Sequence, residues 1–492
     1  MNLAMILQDI AASLGEDVHP CSCSYDIPEL KAQVVLLKGK KSKYIGLRAG
    51  EPLSVLRPLY TQHSEGQFFG LYPFDLPSYR FLSAFLPYLR PQPFDSRPSF
   101  GCGDRLGMVS AAQIKALEQF PVFPVLAQQS PRELEKTHRT FAAVLLDAVW
   151  GILESRYQGS FGADADHIKD ERYLCEARDA GFTVYTLDLS EDIDHRIFSE
   201  SVPLLQERFQ ASLSCVRELF KRYAGKQYTL GPDITVDLSE EKLLPIVLAY
   251  LPAIEKVERF HALLRESLGS SFSLEISLDE GEKVTSPEVH FFIAEELHRR
   301  GIDFQSLAPR FPGSFEKGID YIGSTEEFAR ALRSHVTIQK NLGGYRLSLH
   351  SGSDKFSIYP IFFQETEGFF HLKTSGTSWL VALETIAEVK PELFFRVYRV
   401  AYETFEENLK AYRISVRKEE LPVTPENVMK ADLQQLFAHP GVRQFLHIAY
   451  GSVLDALGEE LREVLAQAEV RHYEKVEGNL RKHLSVLFGK RL

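Results

Sequence analysis

The segment GADADHIKD at residues 162–170 places two aspartates at alternate positions ahead of a histidine and a lysine. Asp164, Asp166, His167 and Lys169 are types that move protons or hold metals, and core packing has no use for them together. Further along, LEISLDE carries Glu275, Asp279 and Glu280, and LHSGSDK carries His350, Ser353, Asp354 and Lys355. FHLKTSG carries His371 and Lys373, and LAQQS carries Gln128, Gln129 and Ser130. Neutral imidazole with carboxylate is the ligand set of Zn²⁺, Mn²⁺, Co²⁺ or Ni²⁺, so His167, His350 and His371 are candidate ligands of a divalent cation. The alternative for any one of them is a hydrogen-bonded core histidine.

Glu275 lies mid-segment, in phase with Ser277 and Asp279. If that face is buried, its carboxylate must be paired, coordinated or protonated. It is then either an ion pair with Lys373 or Arg310, or an acid/base group or ligand tuned by burial. HSGSDKF, with Asp354 and Lys355, and KTSGTS, with Lys373 before a helix start, could hold an anionic substrate. GCGDRLG at 101–107 has three glycines but lacks the dinucleotide fingerprint.

What could bring these segments together is a repeated rhythm. From about residue 98, short β-like runs alternate with amphipathic helical runs, the pattern of a parallel α/β fold. The runs are RPSFGCGDRLGM, FPVFPVLAQQS, FGADADHIK, FTVYTLDLS, SFSLEISLDE, DFQSLAPRF, YRLSLHSGSD and GFFHLKTSG. Eight is the number that closes a (β/α)₈ TIM-like barrel. Such barrels carry their chemistry on the C-terminal rim, where every segment above ends. Ser-Pro pairs at 130–131 and 286–287 read as helix N-caps followed by proline.

The expected organisation is a small N-terminal α/β cap over 1–97, then the catalytic barrel over 98–455. A helical insertion at about 190–265 follows the fourth strand, and residues 456–492 form a C-terminal helix packed on the barrel. A net charge of −11 disfavours nucleic acid or an anionic membrane surface as partner. No apolar run is long enough for a membrane span, and the N-terminus lacks the basic start of a signal peptide. Five scattered cysteines fit a reducing compartment, so the expected location is the cytoplasm. A homo-oligomer is compatible with such a barrel, though no residue marks an interface.

FGCGDRLG, AQQS, FGADADHIK, LEISLDE, LHSGSDKFSIYP and FHLKTSGTS, in that order, resemble the bacterial tagaturonate epimerase family. FEKGIDY and IAYGSVL look like further blocks of it. The resemblance implies a metal-dependent isomerase that interconverts D-tagaturonate and D-fructuronate, sugar acids differing only at C4. Carried over by motif, it implies Asp166 as an acid/base group beside metal ligand His167, and Glu275 as the second acid/base group. It also implies His350 as a ligand, with His371 as third ligand on residue type and strand-end position, and Ser130 near substrate. Gln129, Arg310, Asp354, Lys355 and Lys373 complete the expected substrate contacts, the cations serving the sugar carboxylate.

The C4 hydrogen of a 2-ketose is β to the carbonyl and not acidic, so retro-aldol cleavage and re-formation of C3–C4 is the expected route. A metal-dependent sugar isomerase or aldolase on the same barrel needs the same groups. An inactive sugar-acid-binding protein would need fewer.

Overall fold

The computed structural model describes residues 3–490 except 41, 53–55, 65, 233 and 413. All eight expected runs are strands, and they close one parallel barrel. Its members are β6 (Ser99–Gly103), β7 (Phe123–Gln129), β8 (Gly162–Ile168), β9 (Val184–Asp188), β12 (Ser273–Ser277), β13 (Ser306–Ala308), β14 (Arg346–Leu349) and β15 (Phe370–Thr374). The ring closes where His371 of β15 pairs in register with Ser99 of β6. Gly103 is required at that seam, because a Cβ there would sit 2.6 Å from the Ser375 carbonyl oxygen.

Every barrel residue is buried in β12, β14 and β15, and the alternation of side chains decides what each face holds. In β8, Ala163 and Ala165 belong to the apolar core while Asp164 bonds to groups of other strands. β12 alternates Leu274 and Ile276 with Glu275, and β15 alternates Phe370 and Leu372 with His371 and Lys373. The apolar set seals the barrel against its helices, so the polar set must satisfy itself inside. The Ser-Pro helix starts form as expected: Ser130 Oγ accepts from Glu133 N at 3.3 Å and Ser286 Oγ from Val289 N at 3.2 Å.

Before the barrel, five strands form an antiparallel sheet in the order β1-β2-β3-β5-β4. They are β1 (His19–Ile27), β2 (Ala32–Lys38), β3 (Lys43–Ala49), β4 (Tyr60–Ser64) and β5 (Gln67–Pro73). β2 and β3 form a hairpin, and the CSC of β1 is packing material: Cys23 is buried and Cys21 packs against the core. The segment after β9 contains helices and the hairpin β10 (Lys226–Gly231) and β11 (Ile234–Leu238). The C-terminal run is two helices, Tyr450–Gln467 and Glu469–Leu487, rather than one. Among the described residues no helix is long and apolar enough to cross a membrane.

Candidate active site

Strand ends β8, β12 and β14 meet at the mouth of the barrel. His167 is held with φ of 56°, a left-handed backbone rare outside glycine, and Ser351 beside His350 has φ of 50°. His167 Nε2 lies 3.8 Å from Asp279 Oδ1, and His350 Nδ1 lies 2.9 Å from the same oxygen. These three side chains form a group able to hold a metal ion, their donor atoms all within 4.8 Å of one another.

Two observations test whether a metal fits. His167 Nε2 and His350 Nδ1 are buried and make no hydrogen bond of acceptable geometry, although both face Asp279. Each ring's other nitrogen is braced by a carboxylate: His167 Nδ1 is 2.8 Å from Asp166 Oδ1, and His350 Nε2 is 2.7 Å from Glu275 Oε1. Carboxylate behind imidazole is the usual outer support of a metal-ligating histidine, fixing its tautomer. The residues present fit a divalent cation.

His371 is not part of this group. Its Nδ1 lies 2.8 Å from Ser99 Oγ, its ring packs 5.0 Å from Phe94, and burial pushes its pKa down to about 3. Strand-end position was too coarse a criterion: His371 falls near the start of a five-residue strand, one layer below the mouth. Asp279 stands with His167 and His350 instead.

Beneath the histidines lies a buried ion cluster. Lys373 Nζ is 2.8 Å from Asp164, 2.7 Å from Asp166 and 2.8 Å from Glu275, and it also donates to Thr186 Oγ1. Burial alone would neutralise Lys373, yet the three carboxylates hold its pKa well above the usual lysine range. Burial likewise opposes the charge on Glu275, but Lys373 and His350 hold its pKa well below the carboxylate range. Glu275 is thus an ion-pair partner of Lys373 and the brace of a candidate ligand. It does not line the cavity, whereas Asp166 does.

The cavity above has a volume of about 310 Å³, with a narrow inner pocket of about 30 Å³ running down to Asp166 and Lys373. Ser130 lines the inner pocket and Arg310 the outer cavity, where its guanidinium donates to the Asp279 carbonyl at 2.9 Å. Gln129 turns away and accepts from Arg139 at 3.2 Å. Asp354 and Lys355 do not line the cavity. Asp354 pairs with Arg443 at 3.0 Å. Lys355 donates to the carbonyls of Glu316, Ile319 and Ser353, joining the loops after β13 and β14, and burial pushes its pKa down to about 8.

Besides Arg310, the cations Arg132, Lys317 and Lys410 line the outer cavity, and Arg132 and Lys317 line the inner pocket as well. Neither of these two makes an ion pair within 4.0 Å among the described residues. Lys317 donates to Ser351 Oγ at 2.7 Å, and burial lowers its pKa. Arg132 lies 5.0 Å over the Tyr412 ring. Their signals in the sequence were slight: Arg132 follows the Ser-Pro helix start, and Lys317 sits in the loop after β13.

A parallel barrel with a histidine–carboxylate group and a polar cavity on its C-terminal rim is the arrangement of a barrel enzyme. The tagaturonate epimerase family model matches residues 26–487, and the chain belongs to that family. It is 41% identical over 455 residues to the tagaturonate/fructuronate epimerase of Thermotoga maritima, covering 92% of this chain and 93% of that protein. Its fold is similar to the crystal structure of the fructuronate-tagaturonate epimerase UxaE from Cohnella laeviribosi in complex with glycerol. That similarity has a TM-score of 0.87 at 31% identity and covers 99% of each chain. The native crystal structure of the same protein gives 0.86 at 31% identity, covering 98% of this chain and 99% of that one.

Proposed function

We propose that this epimerase interconverts D-tagaturonate and D-fructuronate by inverting C4 of the hexulosonate, with a divalent cation held by His167, Asp279 and His350. The observation that carries the metal reading is the pair of imidazole nitrogens that face Asp279 without a hydrogen bond of acceptable geometry, each ring braced from behind by a carboxylate. The substrate reading rests on the family and on the cations of the cavity. A cation held by these residues would supply Lewis acidity to the negative charge that develops on the substrate.

Asp166 lies at the floor of the inner pocket and takes the proton of the C4 hydroxyl as the C3–C4 bond breaks, the bonding pair passing toward the C2 carbonyl. The aldehyde fragment turns, the bond re-forms on its other face, and the proton returns. Glu275, joined to Asp166 through Lys373, is the second carboxylate of this proton network. Lys317 and Arg132 hold the sugar carboxylate at the cavity wall, which keeps the fragment in place while C4 turns.

Incubation with D-tagaturonate followed by NMR tests the reading. D-fructuronate as the sole product supports it. An aldose would identify a sugar isomerase, released fragments an aldolase, and binding without turnover a sugar-acid-binding protein.

A further inference from the structure

One wall of the outer cavity comes from outside the barrel. Tyr412, on the loop after helix Phe405–Leu409, lines both the cavity and the inner pocket. Facing it is helix Pro131–Thr137, which starts at the rim end of β7 and carries Arg132 and Lys136 four residues apart on one face. The Arg132 guanidinium lies 5.0 Å from the centre of the Tyr412 ring, and the Lys136 ammonium 4.9 Å. A cation within about 6 Å of a ring centre is attracted by the electron-rich face.

The ring is itself fixed. Tyr412 is 9% exposed, and its hydroxyl bonds to the Tyr450 hydroxyl at 3.1 Å. Both tyrosines belong to a second apolar core, built largely from the C-terminal helices. Arg105 lies 3.8 Å over the Tyr450 ring and pairs with Glu133 at 2.9 Å. Glu133 is on the same helix as Arg132, so the chain of contacts closes on itself.

The Arg132 guanidinium, by contrast, is largely unused. Among the described residues it has no ion pair, and its one hydrogen bond goes to the Ala411 carbonyl at 3.5 Å. Most of its N–H donors are therefore open to a ligand. The carboxylates nearby are engaged elsewhere: Glu133 pairs with Arg105, and Glu316 accepts from the Ser415 amide at 2.7 Å. Glu280 lines the same two pockets, yet it makes no ion pair with Arg132. Lys136 is unpaired as well, and burial, then Arg132 and Arg105, push its pKa down.

We propose that Tyr412 is a positioning residue for substrate recognition: its ring holds the Arg132 guanidinium over the cavity, open to the sugar carboxylate. Without the ring, Arg132 turns toward Glu280 and the carboxylate loses its partner. The proposal rests on the reading of Arg132 as a contact of the sugar acid. It makes the C-terminal helical region part of the binding site and not only packing on the barrel.

Calorimetric binding of D-tagaturonate to the metal-supplied protein tests this through a double-mutant cycle. Arg132→Gln should weaken binding by about tenfold, the effect of one lost charge-assisted hydrogen bond. Tyr412→Leu should weaken it by about fivefold, the scale of one cation–π contact. Because Tyr412 acts through Arg132, the double variant should bind within about twofold of Arg132→Gln alone. Tyr412→Phe keeps the ring and should bind within about twofold of the unaltered protein. Thermal unfolding verifies that each variant is folded, and KM should follow the same order as the affinities. Additive losses, an equal loss in Tyr412→Phe and Tyr412→Leu, undiminished affinity in Tyr412→Leu, or no binding of D-tagaturonate overturns the proposal. Calorimetry reads binding whether or not C4 is inverted, so a protein that shows this cycle without turnover would count against the epimerase reading alone.

Discussion

His167 and His350 face one another across the mouth of the barrel, ring centroids 4.9 Å apart, His167 backed by its β8 neighbour Asp166 and His350 by Glu275 of β12. The two carboxylates, Asp166 and Glu275, are in turn joined through the single ammonium of Lys373. The position of each candidate ligand therefore depends on a charge buried beneath both.

Lys373→Met should be severely destabilising. Removing the ammonium leaves three carboxylates buried without their cation, and breaking such a buried set typically costs about 3–5 kcal/mol. Chemical denaturation should show a midpoint far below that of the unaltered protein. A midpoint within error of it would show that the cluster is not held as charges.

Lys317 and Lys355 should separate cleanly. Lys317 faces the cavity, so Lys317→Met should lower kcat/KM for the uronate by roughly 10- to 100-fold, the worth of one charge-assisted hydrogen bond. Any turnover of the neutral ketose D-tagatose should be little affected. Lys355→Met removes donors from three loop carbonyls, so it should lower stability and affect acid and neutral sugars alike. Steady-state kinetics on both substrates checks the pair, and selective loss of uronate activity in Lys355→Met would reverse the assignment.

How much of this was legible in the sequence follows from periodicity. The eight barrel strands could be read because each is a short buried run between helical patterns, and each ends in polar residues. His167 and His350 could be read because they fall at the ends of such runs. The place of Asp279 rather than His371 in the candidate metal group could not, because it depends on depth: His371 is the second residue of its strand, while Asp279 lies two residues beyond the end of its own. Lys355 failed for another reason. A lysine in a glycine- and serine-rich loop looks available, and only the folded loops reveal three carbonyls converging on it. Strands β1, β4 and β5 lacked clean alternation, their burial being set by packing within the N-terminal sheet.

Stability should fall on acidification through the buried pair His290 and His335, whose Nδ1 atoms are 2.9 Å apart. His335 also packs against Phe311 and bonds to the Thr285 backbone, while His290 reaches Tyr345. Burial pushes the His335 pKa down to about 4, below its unfolded value near 6.5. The unfolded chain then binds the proton first, so this stabilisation is complete above pH 6.5 and is lost as pH falls toward 4. The loss for His335 alone amounts to about 3 kcal/mol. Denaturation midpoints between pH 7 and 4 check it, and His335→Gln should flatten that limb of the profile.

The retro-aldol route makes an isotopic prediction. The C4 hydrogen stays on its carbon throughout, so conversion in D₂O should give D-fructuronate without deuterium at C4. Deuterium at C4 would instead require direct removal of that hydrogen.

The central claim is that His167, Asp279 and His350 hold the cation on which C4 inversion depends. Its most direct test is to strip the protein with a chelator, add back Zn²⁺, Mn²⁺, Co²⁺ or Ni²⁺ singly, and follow D-tagaturonate by NMR beside the Asp279→Asn protein. The account predicts that chelation abolishes conversion and that at least one metal restores D-fructuronate. It also predicts that Asp279→Asn binds that metal at least tenfold more weakly while remaining folded. Full activity after chelation, or undiminished metal binding by Asp279→Asn, would contradict it.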